Sequence, residues 1–337
     1  SLALDRDGRV WAWGRNSQGQ LGNGTVDAHL SPVLVSGLPA IQALAAGFGH
    51  SLALARDGSV WAWGNNGDGQ LGDGSTQRRL RPVQVSGLAG VSAIAAGAYH
   101  SLAIQPGLGV LAWGYNGTSQ LGDGSLQSHP NPTMVPGLAG ATALAAGMGH
   151  SLALAASGSL YAWGDNVAGQ LGTASVTDRT VPSVVGELAE AVDVAAGFRH
   201  TLAATADGKV WAWGYGQGGQ LGNGDVTVSS KPVQAVGIAN ATQVSAGFGH
   251  SLALGRDGKV WAWGLNSSGA LGDGSTANRL KPVQLSSLSG MVALAAGFDH
   301  SLALTQSGEV WAWGGNGDGQ LGDGTQVTRL APVRVSE

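Results

Sequence analysis

Ser51-Leu52-Ala53-Leu54-Ala55-Arg56-Asp57-Gly58-Ser59-Val60-Trp61-Ala62-Trp63-Gly64 is two short apolar runs around an Asp-Gly pair. Runs of this length bounded by turn residues read as strands, and Asp-Gly supplies the positive φ that a tight two-residue hairpin turn demands. The pair recurs as Asp7-Gly8, Asp207-Gly208 and Asp257-Gly258, with Ser-Gly at Ser157 and Ser307. Further along, a glycine-rich loop from Asn66 to Leu80 leads to Pro82-Val83-Gln84-Val85, a third strand entered by its proline, and Val91 to Ala96 makes a fourth. Four short strands without helical periodicity describe one blade of a β-propeller.

The whole chain repeats this unit. Written in rows of fifty it aligns with itself without insertion or deletion: Trp13, Trp63, Trp113, Trp163, Trp213, Trp263 and Trp313 fall in one column, and Pro32, Pro82, Pro132, Pro182, Pro232, Pro282 and Pro332 in another. The prediction is an all-β, seven-bladed propeller of four-stranded antiparallel blades, a single domain over residues 1–337 with repeats 1–50, 51–100, 101–150, 151–200, 201–250, 251–300 and 301–337. The segment from Gly37 to His50 has no counterpart in the last repeat, so the first-and-last blade is expected to lack its innermost strand. An open inner edge is a template for strand addition, either by a continuation of the chain or by a partner.

Composition removes other classes. The 337 residues hold 58 glycines, 12 tryptophans and no cysteine, with 43% hydrophobic and 11% charged residues. That apolar content excludes a disordered chain, and charge so far below the usual figure of about 25% excludes an ordinary helical bundle. A net charge of −4 without a lysine or arginine run argues against a nucleic-acid surface, and no apolar run is long enough to span a bilayer. The absence of cysteine fits a cytoplasmic or a secreted protein alike. Thirteen arginines against four lysines, with heavy alanine use, point to a GC-rich bacterial genome.

Side-chain sizes explain how blades stack. In Val10-Trp11-Ala12-Trp13 the indoles leave one face of the strand while valine and alanine leave the other, so a bulky face meets a slim neighbour and all twelve tryptophans are expected to be buried between blades. Ala43 to Gly47 carries the small residues expected of the innermost strand.

The unit also resembles the repeats of the regulator of chromosome condensation family. The matching residues are Ala246-Gly247-Phe248-Gly249-His250-Ser251, Val260-Trp261-Ala262-Trp263-Gly264, Asn316-Gly317-Asp318-Gly319-Gln320-Leu321-Gly322-Asp323-Gly324 and Pro332, and the resemblance covers the chain. It implies a seven-bladed propeller. It leaves activity open, because the family includes a nucleotide-exchange factor, a plant ultraviolet-B photoreceptor, ubiquitin-ligase modules and, more distantly, β-lactamase inhibitors. The photoreceptor's sensing tryptophans lie in a Gly-Trp-Arg-His-Thr motif; Gly197-Phe198-Arg199-His200-Thr201 keeps the rest of it with phenylalanine for tryptophan. The family's exchange factor carries an inserted wedge that this chain lacks.

Repetition sorts the chemistry. A position filled alike in every copy serves the blade, whereas a unique site must use residues that differ between copies. His50, His100, His150, His200, His250 and His300, each before Ser or Thr, are therefore read as structural rather than as catalytic bases. Asn66-Gly67-Asp68-Gly69 lacks the acid that closes a calcium loop and reads as a turn. No metal, cofactor or catalytic residue is expected.

The residues that do differ gather on one end of the blades, where the turn after the innermost strand and the loop after the tryptophan strand emerge. They are Phe48, Tyr99, Met148, Phe198, Arg199, Phe248, Phe298 and Asp299, with Arg78, Arg79 and Arg81 farther out alongside His29, His129, Arg179, Arg279 and Arg329. Aromatics and arginine with a polar rim are what protein interfaces use. The expected function is a non-catalytic scaffold presenting this loop face to an unknown protein; the alternatives are a carbohydrate-binding propeller and a guanine nucleotide exchange factor for a small GTPase.

Overall fold

The computed structural model describes residues 1–186, 188 and 190–336; Glu337, the last residue of the seventh repeat, lies outside the described residues. Strands β1 (Leu2–Leu4), β2 (Val10–Gly14) and β3 (His29–Leu34) form a three-stranded antiparallel sheet in that order. Strands β4 (Ile41–Ala46), β5 (His50–Ala55), β6 (Val60–Gly64) and β7 (Arg79–Gln84) form the next, in the order β4-β5-β6-β7. Five more four-stranded sheets repeat this arrangement, with edge strands Ala93–Ala96, Ala141–Ala146, Ala191–Ala196, Ala241–Ala246 and Met291–Ala296. The fold is all-β, a seven-bladed β-propeller with four-stranded antiparallel blades and a first blade of three strands. Among the described residues no helix is long and apolar enough to cross a membrane.

The chain groups into two compact units. One comprises Ser1–Ala156, Tyr161–Asp165 and Asp178–Ser183; the other comprises Ser157–Leu160, Asn166–Thr177 and the chain from Val184 onward. In both, a blade takes its first edge strand from the end of one sequence repeat and its other three from the next, as β4 joins β5, β6 and β7.

Three local details differ from the sequence reading. The β5–β6 hairpin is longer than a two-residue turn: Ala55 N–H donates to Ser59 O at 2.9 Å and Gly58 N–H to Ala55 O at 3.0 Å, and only Gly58 takes a positive φ, +80°. The Asp57 carboxylate accepts from the Ser59 N–H and hydroxyl at 2.9 and 2.7 Å, which holds the aspartate in place and leaves the left-handed conformation to glycine. β7 begins three residues before Pro82, which an edge strand accommodates because one side of its backbone need not donate to the ladder. The strand expected from Val91 begins at Ala93, since Val91 N–H is bonded to Gly58 O at 3.0 Å.

Packing follows the alternation of large and small. In the first unit Trp113 lies with Val60, Ala62, Leu71 and Val85 of the preceding blade. In the second, Trp263 lies with Val210, Ala212 and Leu221, and Trp313 with Val260, Ala262 and Leu271. The seven tryptophans of this column are fully buried. The expectation that all twelve are buried is corrected at Trp11, Trp61, Trp211, Trp261 and Trp311, which are half-buried. They stand two residues earlier, nearer the hairpin end, where Trp11 Nε1 reaches Asp5 and Trp61 Nε1 reaches Ser59.

Candidate interaction surface

Antiparallel connection puts the β4–β5 turn and the β6–β7 loop at the same end of a blade, and the backbone joins them there. Asn65 N–H donates to Gly49 O at 2.8 Å, and the equivalent bonds run from Tyr115 to Tyr99, Tyr215 to Arg199 and Gly315 to Asp299. The loop itself is organised by one buried asparagine. Asn66 Oδ1 accepts from Leu71 N–H at 2.9 Å, while Nδ2 donates to the Ser75 and Gln77 carbonyls, both at 3.1 Å. Asn166, Asn266 and Asn316 repeat all three contacts, and Asn116 repeats those to Leu121 and Ser125.

A second tie closes the loop's far end. Asp73 accepts from Arg79 at 2.7 Å and from Ser75, and the same geometry recurs at Asp273 with Arg279 and Asp323 with Arg329. Burial works against ionisation of Asp73, but the hydrogen bonds from Ser75, Arg79 and Asn66 outweigh it and hold the carboxyl below its ordinary range. His129 takes the arginine's place beside Asp123, and His29 faces Asn23. Arg79 is thus engaged in holding its loop, whereas among the described residues Arg78 and Arg81 form no ion pair.

The histidine column is structural in geometry as well as in repetition. His50 Nε2 lies 3.0 Å from Ser101 Oγ of the next blade, and His100–Ser151, His200–Ser251 and His250–Ser301 repeat the contact. The serine hydroxyl donates onward to a main-chain carbonyl, Gln70 O for Ser101, which also accepts Trp113 Nε1 at 2.9 Å. A serine engaged in this way is a link between blades. Among the described residues no three His, Cys, Asp or Glu side chains gather as a metal site.

The residues that differ between copies are brought together unit by unit. In the first unit Phe48 and Tyr99 pack as tilted rings with centroids 5.9 Å apart, and Tyr99 meets Tyr115 edge-on at 6.4 Å. Half of Phe48 is exposed (50%), while Met148 is half-buried. In the second unit Phe198, Phe248 and Phe298 form a run of three rings with centroid spacings of 4.2 and 4.3 Å. Phe298 is 52% exposed and the other two are half-buried. Arg199 lies over the Phe198 ring at 5.7 Å, and Asp299 accepts from Gln320 Nε2 at 3.2 Å.

Residues inside the second unit's edge strands escaped the sequence reading. Asp193 Oδ2 accepts from Val244 N–H at 2.8 Å, Gln243 bridges Leu294 N–H and O, and Ser245 accepts from Ala296 N–H at 2.9 Å. Burial raises the Asp193 carboxyl to about 6. Alanine occupies most equivalent positions, so a polar residue in an otherwise alanine column was the available signal.

Within each unit, neighbouring sheets tied by the same histidine–serine and indole–carbonyl contacts, with loops organised by the same asparagine, define a repeat propeller. The RCC1-like domain family model matches residues 1–253 and 131–337, and the chain belongs to that family. Yeast RCC1 (Prp20), solved bound to Kap60, is 27% identical over 99% of this chain and 85% of its own, with a TM-score of 0.88. Human WBSCR16 is 26% identical over 98% of this chain and 94% of its own, also at 0.88. Among curated relatives, the RCC2 homolog of Danio rerio is 42% identical over 53 residues and the Homo sapiens ubiquitin ligase HERC2 46% over 52. Those matches cover 15% of this chain and only 11% and 1% of the relatives' lengths.

Proposed function

We propose that the chain is a non-catalytic interaction scaffold that presents the turn-and-loop end of its blades to a partner protein. The observation that carries this reading is the run Phe198–Phe248–Phe298 with Arg199 beside it: three neighbouring phenylalanines left partly in water at a column that tolerates alanine at Ala98. Burying a phenylalanine is worth about 1.5–3 kcal/mol, and aromatic and arginine side chains concentrate interface energy. Similar propellers support it: Prp20 was crystallised with Kap60, and Prp20p of Saccharomyces cerevisiae is described with binding properties to Gsp1p and histones.

The test is affinity capture with the wild-type chain, Phe198→Ala and Arg199→Ala, run beside a glycan array. The scaffold reading expects both variants to lose a captured protein while their melting temperatures hold. Glycan binding that leaves protein capture indifferent to both substitutions would replace this reading with a carbohydrate-binding one.

A further inference from the structure

In the first unit three guanidinium groups, one from the β2–β3 loop and two from the next blade, lie against that loop with no counter-charge among the described residues. Arg15 Nε donates to Ser17 Oγ at 3.1 Å, and Arg78 Nη1, from the next blade, donates to Ser17 O at 3.3 Å. Two cations therefore converge on a single serine. Arg81 lies against the same loop: a Cβ on Gly24 would sit 2.7 Å from its Nη2. Gly24 N–H also donates to Leu80 O at 2.8 Å, fixing the loop to β7.

Among the described residues no carboxylate lies within ion-pair range of Arg15, Arg78 or Arg81. The carboxylates on these loops are Asp73, held by Arg79; Asp68, whose pKa burial raises; and the exposed Asp27. The blade does not require the arginines. Copies of Arg15 are Asn65, Tyr115, Asp165, Tyr215, Leu265 and Gly315, and copies of Arg78 include Ala28, Ser128 and Asp178. Like charges gathered by hydrogen bonds to neutral groups repel one another until an anion joins them.

We infer that Arg15, Arg78 and Arg81 form the docking site for a carboxylate-rich segment of a partner protein. Guanidinium binds carboxylate through paired N–H donors, and arginines already anchored lose less freedom on binding. An apolar contact is at hand as well. A Cβ on Gly49 would be 3.5 Å from Gln18 Cγ, so the Ser17–Gln18 loop adjoins the turn that carries the half-exposed Phe48. A peptide mixing acids with an apolar side chain matches this surface better than a nucleic acid, which needs cations along a longer track than three arginines provide in a chain of net charge −4. The inference rests on the scaffold reading and names the chemistry of its partner.

The probe is a fluorescein-labelled peptide of glutamates with a central phenylalanine, measured by anisotropy against its lysine counterpart and a single-stranded oligonucleotide. Selective, salt-sensitive binding of the acidic peptide is expected, with a loss of about tenfold or more in the Arg15→Ala/Arg78→Ala double variant. Arg6→Ala, which removes an exposed arginine in the β1–β2 turn at the other end of the blade, should change affinity by no more than about twofold. Failure of the acidic peptide to bind, equal binding by the double variant, or tighter binding of the oligonucleotide would each overturn the inference. Phe198→Ala should leave peptide binding intact, so the peptide assay and the capture assay fail separately.

Discussion

His50 and Ser101 are 51 residues apart in the chain and meet with Nε2 3.0 Å from Oγ. Because the Ser101 hydroxyl donates to Gln70 O at 2.8 Å, it accepts from His50, which fixes the proton on Nε2. Nδ1 is then unprotonated and buried, with no hydrogen-bond partner among the described residues. A second proton there would be a charge in an apolar setting, and burial accordingly lowers His50, His150 and His250 from 6.5 to about 4, and His100 to about 3.

The linkage has a definite sign. In the unfolded chain these histidines protonate near 6.5, but in the folded chain only near 4 or below, so stability is fully present above about pH 6.5 and is lost as pH falls toward 4. Asp193 acts oppositely: its carboxyl is raised from 3.8 to about 6, so the folded chain holds the extra proton and this residue's ionisation costs stability as pH rises through that window. Four histidines outweigh one aspartate. Urea unfolding is expected to give a clearly lower midpoint near pH 5 than near pH 7.5; a flat or inverted profile would contradict the neutral, buried imidazoles.

Asn66 offers a cleaner test of the loops. Asn66→Ala removes the acceptor of Leu71 N–H and the donor to the Ser75 and Gln77 carbonyls, at an expected cost of about 1–3 kcal/mol. Asn66→Asp should be no better, since a carboxylate can still accept but would face two carbonyls with nothing to donate. Denaturant unfolding decides the matter, and wild-type stability in the aspartate variant would show that the loop is held by other means.

Gly72 and Trp113 are expected to be coupled. Gly72 has φ +69°, and a Cβ there would lie 2.8 Å from Trp113 Nε1 and from Val85 Cγ1. Gly72→Ala should destabilise through both the conformation and the clash. Trp113→Phe removes the indole edge and its bond to Gln70 O, so the double variant should lose less than the sum of the two single losses. Strict additivity in a double-mutant cycle would mean that backbone conformation and the Val85 contact, rather than the indole, exclude a side chain.

The sequence displayed the architecture because each blade is a local object. Val-Trp-Ala-Trp places large and small side chains on opposite faces within four residues, and the fifty-residue period repeats that statement until the pattern is unmistakable. The structural standing of the histidines was visible for the same reason. Partners separated by many residues were not visible. Nothing adjacent to Arg79 distinguishes it from Arg78, and only the fold shows Arg79 held by Asp73 while Arg78 reaches Ser17, 61 residues away. Likewise Arg15 gained significance only when a loop of one blade and a strand of the next came together.

The ties between blades recur at fixed separations: 51 residues from histidine to serine, 43 from indole to carbonyl and 31 from serine to that same carbonyl. Addresses of this kind specify a distance along the gene rather than a particular neighbour. Removing or duplicating one whole fifty-residue sector would therefore leave the histidine, indole and serine at the new junction facing partners of the same kind, so the number of sectors can change without redesigning these ties.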